Sequence, residues 1–239
     1  MGNDYFSMLQ RLKEERERRN LTQRLLCYQM KIQQSHFSKV ETGLRRFTYH
    51  ELKGLCATDI DVLYVFTGKR PKIELDFLDP ENLCLEEIIC FLDIIYTLAH
   101  AAYAADCSKT SFERIRQQLA YIRYGSGTGK ARDSIFLYVR NRCGHTQQKM
   151  ADMLGIDIKK LRQLEKGRLM PDSEIVWKMY DLFRISPAFI LRDSKGLLNE
   201  LSHVLGLMKE NDREVVLRIL ENGHTLYKPA IPAAEQPGI

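Results

Sequence analysis

The sequence predicts an all-α chain assembled around a helical unit that was built twice. Three observations carry this. A frame of residues recurs at a fixed offset: Thr22, Gln23, Glu41 and Gly43 reappear 124 positions later as Thr146, Gln147, Glu165 and Gly167. Arg16, Arg18 and Ile32 recur at the same offset as Arg140, Arg142 and Ile156, and such self-similarity marks one supersecondary unit present in two copies. Apolar residues are spaced three and four apart, the period of a buried helix face, and no stretch shows the alternation of a strand. Finally, Ser, Thr and Asp precede these stretches and Gly follows several of them, as helix caps and stops should.

Taken in order, Phe6, Leu9 and Leu12 mark a helix over about 5–19, running into a dense charged stretch and ended by Asn20. Thr22 caps the next helix, about 22–30, whose inward face is Leu25, Leu26 and Met30. A third, about 33–41, turns Phe37 and Val40 inward and stops at Gly43. Helices near 48–57 and 61–67 close the unit. The second copy repeats the plan. Ser134 to Arg142 carries Ile135, Phe136 and Val139, and Thr146 caps a helix with Met150, Ala151 and Leu154 that stops at Gly155. Asp157 caps a helix with Leu161 and Leu164, and Asp172–Phe183 and Pro187–Leu191 complete this copy.

Between the copies, Leu85 to Ala105 reads as a buried helix, and Ser108 or Thr110 opens a second one running to Tyr124. Gly125-Ser126-Gly127-Thr128-Gly129-Lys130 lacks the spacing of a phosphate loop, is followed by Ala131 rather than Ser or Thr, and follows no strand. It reads as a flexible linker. After the second copy, 195–209 and 212–222 form a helical hairpin capped at Asn211 or Asp212. Leu197, Leu198, Leu201, Val204, Leu205 and Met208 make one stripe, and Val215, Val216, Ile219 and Leu220 the other. The proline-containing tail reads as disordered. The expected domains are therefore 5–68, 71–124, the linker 125–130, 131–192, the hairpin 195–227 and the tail 228–239.

Composition narrows the function. The chain has 239 residues, room for two modest domains. No apolar run reaches the roughly 18 residues of a membrane span and no signal peptide is visible, so a cytoplasmic protein without a membrane partner is expected. None of the six cysteines forms a C-x-x-C pair and the six histidines lack ligand spacing, so neither metal nor cofactor is expected and the thiols read as reduced core residues. No Ser/His/Asp order and no carboxylate pair suggests an enzyme. Tyr96, Tyr103, Tyr121 and Tyr124 either line a small-molecule pocket or belong to a core, and their helical spacing favours the core. The charge is uneven: residues 1–70 carry net +5 and 131–193 net +4, while 71–130 carry net −3 and 194–239 net −1. A polyanion would be drawn to the two copies selectively.

Within each copy, two helices joined by a short turn, the second polar on its outer face, make a helix-turn-helix. The N-terminus of the first of the pair suits a phosphate, and Gln23 and Gln147 stand there with an amide to add. The frame resembles the lambdoid phage repressor and Cro, or XRE, superfamily over about 8–68 and 132–192. Thr146 to Ile156, with Leu161, Leu164, Glu165 and Gly167, matches its pattern better than the first copy, which has Lys31 where the family has Gly and Cys27 where it has Ala. Lys31 suggests a slightly different turn.

The resemblance implies two lambda-repressor-like domains, joined by a helical module, that read adjacent half-sites roughly 34 Å apart on double-stranded DNA. It implies scaffold ion pairs Arg16–Glu41 and Arg140–Glu165. It implies base reading by Gln34, Ser35 and Lys39 in one copy and by Ile158, Lys159 and Gln163 in the other. Gln23, Gln33, Ser38, Arg45, Arg46, Gln147, Arg162, Lys166 and Arg168 would meet the DNA backbone. The resulting expectation is a sequence-specific transcriptional regulator, nucleoid-associated when DNA-bound. The alternative is an anti-repressor or antitoxin-like protein in which the first copy binds a protein through Phe37, Phe47 and Tyr49. The middle module and hairpin either pack the two copies together or form a homodimer contact.

Overall fold

The computed structural model describes residues 4–70, 73, 75, 83, 85–103 and 134–226, and these are helical with no strand among them. The first five helices are α1 (Tyr5–Arg18), α2 (Gln23–Met30), α3 (Gln34–Glu41), α4 (Tyr49–Cys56) and α5 (Val62–Thr67). Then comes α6 (Leu85–Tyr103). The second set is α7 (Ile135–Arg142), α8 (Gln147–Leu154), α9 (Ile158–Glu165), α10 (Ser173–Phe183) and α11 (Pro187–Leu191), followed by α12 (Ser194–Leu205) and α13 (Glu210–Leu226). The second helix expected in the middle module, the linker 125–130 and the tail 228–239 lie outside the described residues, as do Tyr121 and Tyr124.

Local chemistry explains the starts and stops. The hydroxyls of Thr22 and Thr146 accept from Leu25 N and Lys149 N, capping α2 and α8 at equivalent places. Asp157 caps α9 through Lys160 N, whereas Gln33 before α3 makes no side-chain cap bond. Thr48 and Glu51 close a reciprocal capping box on α4. α2 and α8 both end in a left-handed residue: Lys31 at φ 56°, ψ 42° and Gly155 at φ 64°, ψ 39°. The turn at Lys31 is therefore the same as that at Gly155. The caps on either side hold it, so the lysine accepts a conformation that glycine adopts freely.

Three other expectations are corrected. Leu25 is 45% exposed, because Leu26, Cys27 and Met30 already fill the inward arc of the short α2. α13 starts at Glu210, so Asn211 and Asp212, the expected caps, lie inside its first turn. Only Val216 and Leu220 of its stripe are buried, while Val215 and Ile219 face outward.

Two cores result. One contains buried residues of α1–α5 and of α7–α11 together, from Leu12, Leu26, Phe37 and Leu52 to Met150, Leu161, Val176 and Leu191. The other joins α6 to α12 and α13 through Phe91, Leu92, Ile95, Tyr96, Leu201, Leu205 and Leu220. Tyr96 is 3% exposed within it, which makes it a core residue.

The two helical sets meet directly. Ser173, fully buried at the start of α10, shares a hydrogen bond of 2.7 Å with the Tyr5 hydroxyl and accepts one of 3.1 Å from Phe47 N. Its own N–H donates to Phe47 O at 3.0 Å. Arg46 pairs with Glu174, and Tyr5 meets Trp177 edge to face at 6.2 Å. Burial pushes the Tyr5 hydroxyl up to about 12, against the opposing bond to Ser173. Lys53 donates to Leu191 O and Arg192 O at 2.9 and 3.1 Å, capping the end of α11.

Candidate DNA-binding surfaces

Phe37 and Val40 turn α3 inward, and Leu161 and Leu164 do the same for α9. That leaves the opposite faces to solvent. Gln33, Gln34, Ser35 and Lys39 are exposed and Ser38 is half-buried. On α9, Lys159, Arg162 and Gln163 are exposed and Ile158 is half-buried. Each outer face is thus a polar strip about two turns long, supported from below by aliphatic or aromatic side chains.

What aims these helices is a buried polar link that occurs at both offsets. Arg16 Nε donates to Glu41 Oε1 at 2.8 Å, and Gln23 Nε2 donates to Glu41 Oε2 at 2.5 Å. Arg140 Nε likewise pairs with Glu165 Oε1, and Gln147 Nε2 donates to Glu165 Oε2 at 2.8 Å. The arginines reach further, Arg16 to Leu21 O at 3.0 Å and Arg140 to His145 O at 3.3 Å. One carboxylate at the end of α3 or α9 therefore ties together the preceding helices: α1 and α2 in one case, α7 and α8 in the other. All four charged side chains are nearly buried, so each pair is costly to separate.

The glutamines are part of this link. Their amides still have a second N–H, so an external acceptor at the helix N-terminus remains compatible with the bond to Glu. In the second set Gln147 Oε1 also accepts from Arg162 Nε at 3.0 Å, which ties Arg162 down. Ser38 stands 124 positions earlier and makes no such link possible. Arg45 is bound to Glu51 at 2.8 Å, and Arg46 to Glu174. Lys166 and Arg168 are exposed beyond α9.

Two of the three aromatic anchors of the protein-binding alternative are not available. Phe37 and Phe47 are 0% and 1% exposed and pack on each other with ring centroids 5.8 Å apart, because they close the core under α3. Tyr49 is half-buried, and burial raises its hydroxyl. Sequence reasoning also missed Glu15, Ser173, Lys53 and Asp193. Glu15 was detectable, since it falls in step with Met8 and Leu12 on the inward face of α1. The others matter through packing between segments far apart in the chain, which no local pattern reveals.

Among the described residues no group of His, Cys, Asp and Glu is arranged to hold a metal ion, and no helix is long and apolar enough to cross a membrane.

Comparison with known proteins adds one finding. Residues 137–190 match the family model described as helix-turn-helix, which spans α7 to α11 and supports an XRE-type unit there. These residues thus carry a helix-turn-helix of the DNA-binding, transcription-regulating type. No curated protein and no solved structure matches the chain.

Proposed function

We propose that the chain is a sequence-specific DNA-binding transcriptional regulator that reads adjacent major-groove half-sites with α3 and α9. The observation that carries this reading is the shared Arg–Glu–Gln link, which fixes an outward polar helix at both offsets. Gln34, Ser35 and Lys39 would read bases from α3, and Ile158, Lys159 and Gln163 from α9. Gln can pair with adenine, Lys can reach guanine O6 and N7, and Ile can touch a thymine methyl. Because the two sets differ, the two half-sites should differ in sequence.

Lys166 and Arg168 are suited to phosphates, with Gln23 and Gln147 adding an amide at each helix N-terminus. Gln33 and Ser38 would add backbone contacts, as would Arg162 through the guanidinium N–H groups not given to Gln147. Arg45 and Arg46 would have to share their guanidinium groups between phosphate and their present carboxylate partners. The common core of the two sets favours a fixed relative placement, which lets one chain present both reading helices.

The test uses the full chain, since severing the sets would open their shared core. Binding sites are selected from random DNA for the wild type, Gln163→Ala and Lys39→Ala. Gln163→Ala should weaken the preferred site by about 1–3 kcal/mol and relax one base position. Lys39→Ala should relax a position in the other half-site. A uniform loss across all sequences would refute base reading. A normal Lys39→Ala profile beside a relaxed Gln163→Ala profile would restrict reading to α9.

A further inference from the structure

Glu15 is a carboxylate in an apolar position. It follows Met8 and Leu12 along the inward face of α1, and its side chain is completely buried. Three guanidinium groups converge on it. Arg18 donates through Nε at 2.8 Å and through a terminal nitrogen at 2.7 Å. Arg19 donates through Nε at 3.2 Å, and Arg70, beyond α5, at 2.7 Å. Burial pushes the carboxyl up, but the bonds from Arg18, Arg70 and Arg19 prevail and hold it at about 2, so it stays ionised.

The arrangement collects more positive charge than Glu15 removes. A further acid, Asp61, acts electrostatically on Arg18 and Arg70; its carboxylate caps α5 at Tyr64 N and accepts from Asn199 Nδ2 at 3.2 Å. Even with Asp61 ionised, three guanidinium groups face two carboxylates. The side chains of Arg18, Arg19 and Arg70 are 48%, 42% and 40% exposed. Each is held to Glu15 by one edge, so the remaining N–H groups reach solvent. Arg70 also lies over the Tyr64 ring at 3.6 Å, which fixes its plane. Free arginines on a surface repel one another and spread. Here a buried anion gathers them beforehand, so a ligand would not have to meet that cost.

Arg16, one residue along α1, is turned to Glu41 of α3, and Arg11 is used on Val65 O and Phe66 O. The cluster therefore belongs to the α1–α5 side and is separate from the outer face of α3. The second set has no counterpart, since Val139 and Cys143 stand where Glu15 and Arg19 would recur.

We propose that Arg18, Arg19 and Arg70, gathered by Glu15, form a binding site for a phosphate-type oxyanion carrying two or more negative charges. Planar guanidinium forks match phosphate oxygens in pairs. The charge comes either from two neighbouring phosphodiesters of DNA backbone flanking the read site, one charge each, or from a free phosphorylated ligand. The site does not rest on the base-reading assignment.

Inorganic pyrophosphate is titrated calorimetrically into the full chain at low salt, and the salt dependence of DNA binding is measured in parallel. The proteins are the wild type, Arg18→Gln/Arg19→Gln, and Arg218→Gln, at an exposed position of α13, as a charge control. The double variant keeps Arg70 on Glu15, so the buried carboxylate stays paired. Its melting is checked, and Arg19→Gln alone replaces it if it does not fold. Saturable pyrophosphate binding, weakened at least about tenfold in the double variant but not in the control, identifies a free-ligand site. Absence of pyrophosphate binding with a DNA salt slope reduced by about 1–2 in the double variant alone identifies the backbone as the source. Neither response, or equal weakening in the control, overturns the site. If no DNA binds at all, the base-reading assignment fails and the pyrophosphate titration still decides this one.

Discussion

In the first set of helices, α5 folds back on its own α1, and Arg11 of α1 donates to Val65 O and Phe66 O near its end. In the second set, α11 packs on α10 and α12 and also crosses to α4 and α5 of the first set. The equivalent service at its C-terminus comes from Lys53 of the first set. Both short helices need their last carbonyls satisfied, but one obtains this locally and the other from a partner more than a hundred residues away. The Arg–Glu–Gln link at α3 and α9 and the left-handed turn after α2 and α8 are shared, and the packing of the last helix is where the two sets part. The lesson is that a repeated unit can keep the geometry of its outer polar helix while spending its last helix on assembly.

The strongest test of the shared part removes its central carboxylate. Glu41→Ala and Glu165→Ala each leave an arginine buried without its partner and free a glutamine amide. Breaking a pair of this kind costs about 3–5 kcal/mol. Glu41→Ala should lie toward the upper end, since the Arg16 side chain is 9% exposed against 17% for Arg140. Urea unfolding of the full chain measures both. Losses under about 1 kcal/mol would mean that the link does not hold either outer helix in place.

The divergent part is probed by pH. Asp193 follows α11, is 5% exposed and sits with Lys53 and Cys56 at the junction of the two sets. Burial is the main cause that pushes its carboxyl up to about 6, with Lys53 and the Gly196 N–H opposing. Burial and the nearby Asp193 charge together push the Cys56 thiol up as well. A folded value above the usual 3.8 means that the folded state holds the proton more tightly. Its contribution is therefore fully present below about pH 4 and is lost as pH rises through about 6, an effect of about 3 kcal/mol. Asp193→Asn keeps an acceptor for the Gly196 N–H and removes the titration. It should match the wild type near pH 4 and exceed it by about 3 kcal/mol at pH 8 in urea unfolding. The position 124 residues earlier is the exposed Lys69, so the first set has no carboxyl at that place, although burial also raises Asp61 before α5. Parallel curves for wild type and variant would show that Asp193 remains charged and compensated throughout.

Helix order and type were legible because they depend on neighbours along the chain. Threonine caps on α2 and α8, the aspartate cap on α9, left-handed turns and three-to-four spacing mark α2, α3, α8 and α9 without reference to the rest of the fold. The Arg–Glu pairs were legible only through the resemblance, and their glutamine partner was not, because an amide at a helix N-terminus serves equally well for an external anion. The junction was invisible for another reason. Ser173 resembles any first-turn serine, and Arg46 any loop arginine, until Phe47 and Glu174 are brought beside them. The inward-facing Glu15 could have been read as an anomaly on an apolar stripe, but it was absorbed into the charged run that follows it.

The smallest expected effect separates the two turns that otherwise look alike. Lys31 and Gly155 share a left-handed backbone, which costs a side-chain-bearing residue about 1–2 kcal/mol. A further exchange accompanies this one. Lys178 donates to Leu154 O at 2.8 Å and passes over Gly155, where an added Cβ would lie 2.7 Å from its Nζ. The corresponding position in the first set is Gly54, where a Cβ would lie 3.2 Å from Met30 O. Lysine and glycine have thus traded places: α4 comes too near the end of α2 to carry a lysine, and the turn there carries one instead. Lys31→Gly relieves the backbone but loosens the unfolded chain, so the net gain should be about 0.5 kcal/mol. Gly155→Ala strains the turn and displaces Lys178 from Leu154 O, so it should cost about 1 kcal/mol or more. Paired urea curves resolve opposite signs at equivalent positions. Equal signs would mean that the neighbouring helix, and not the backbone at the turn, decides which residue each turn tolerates.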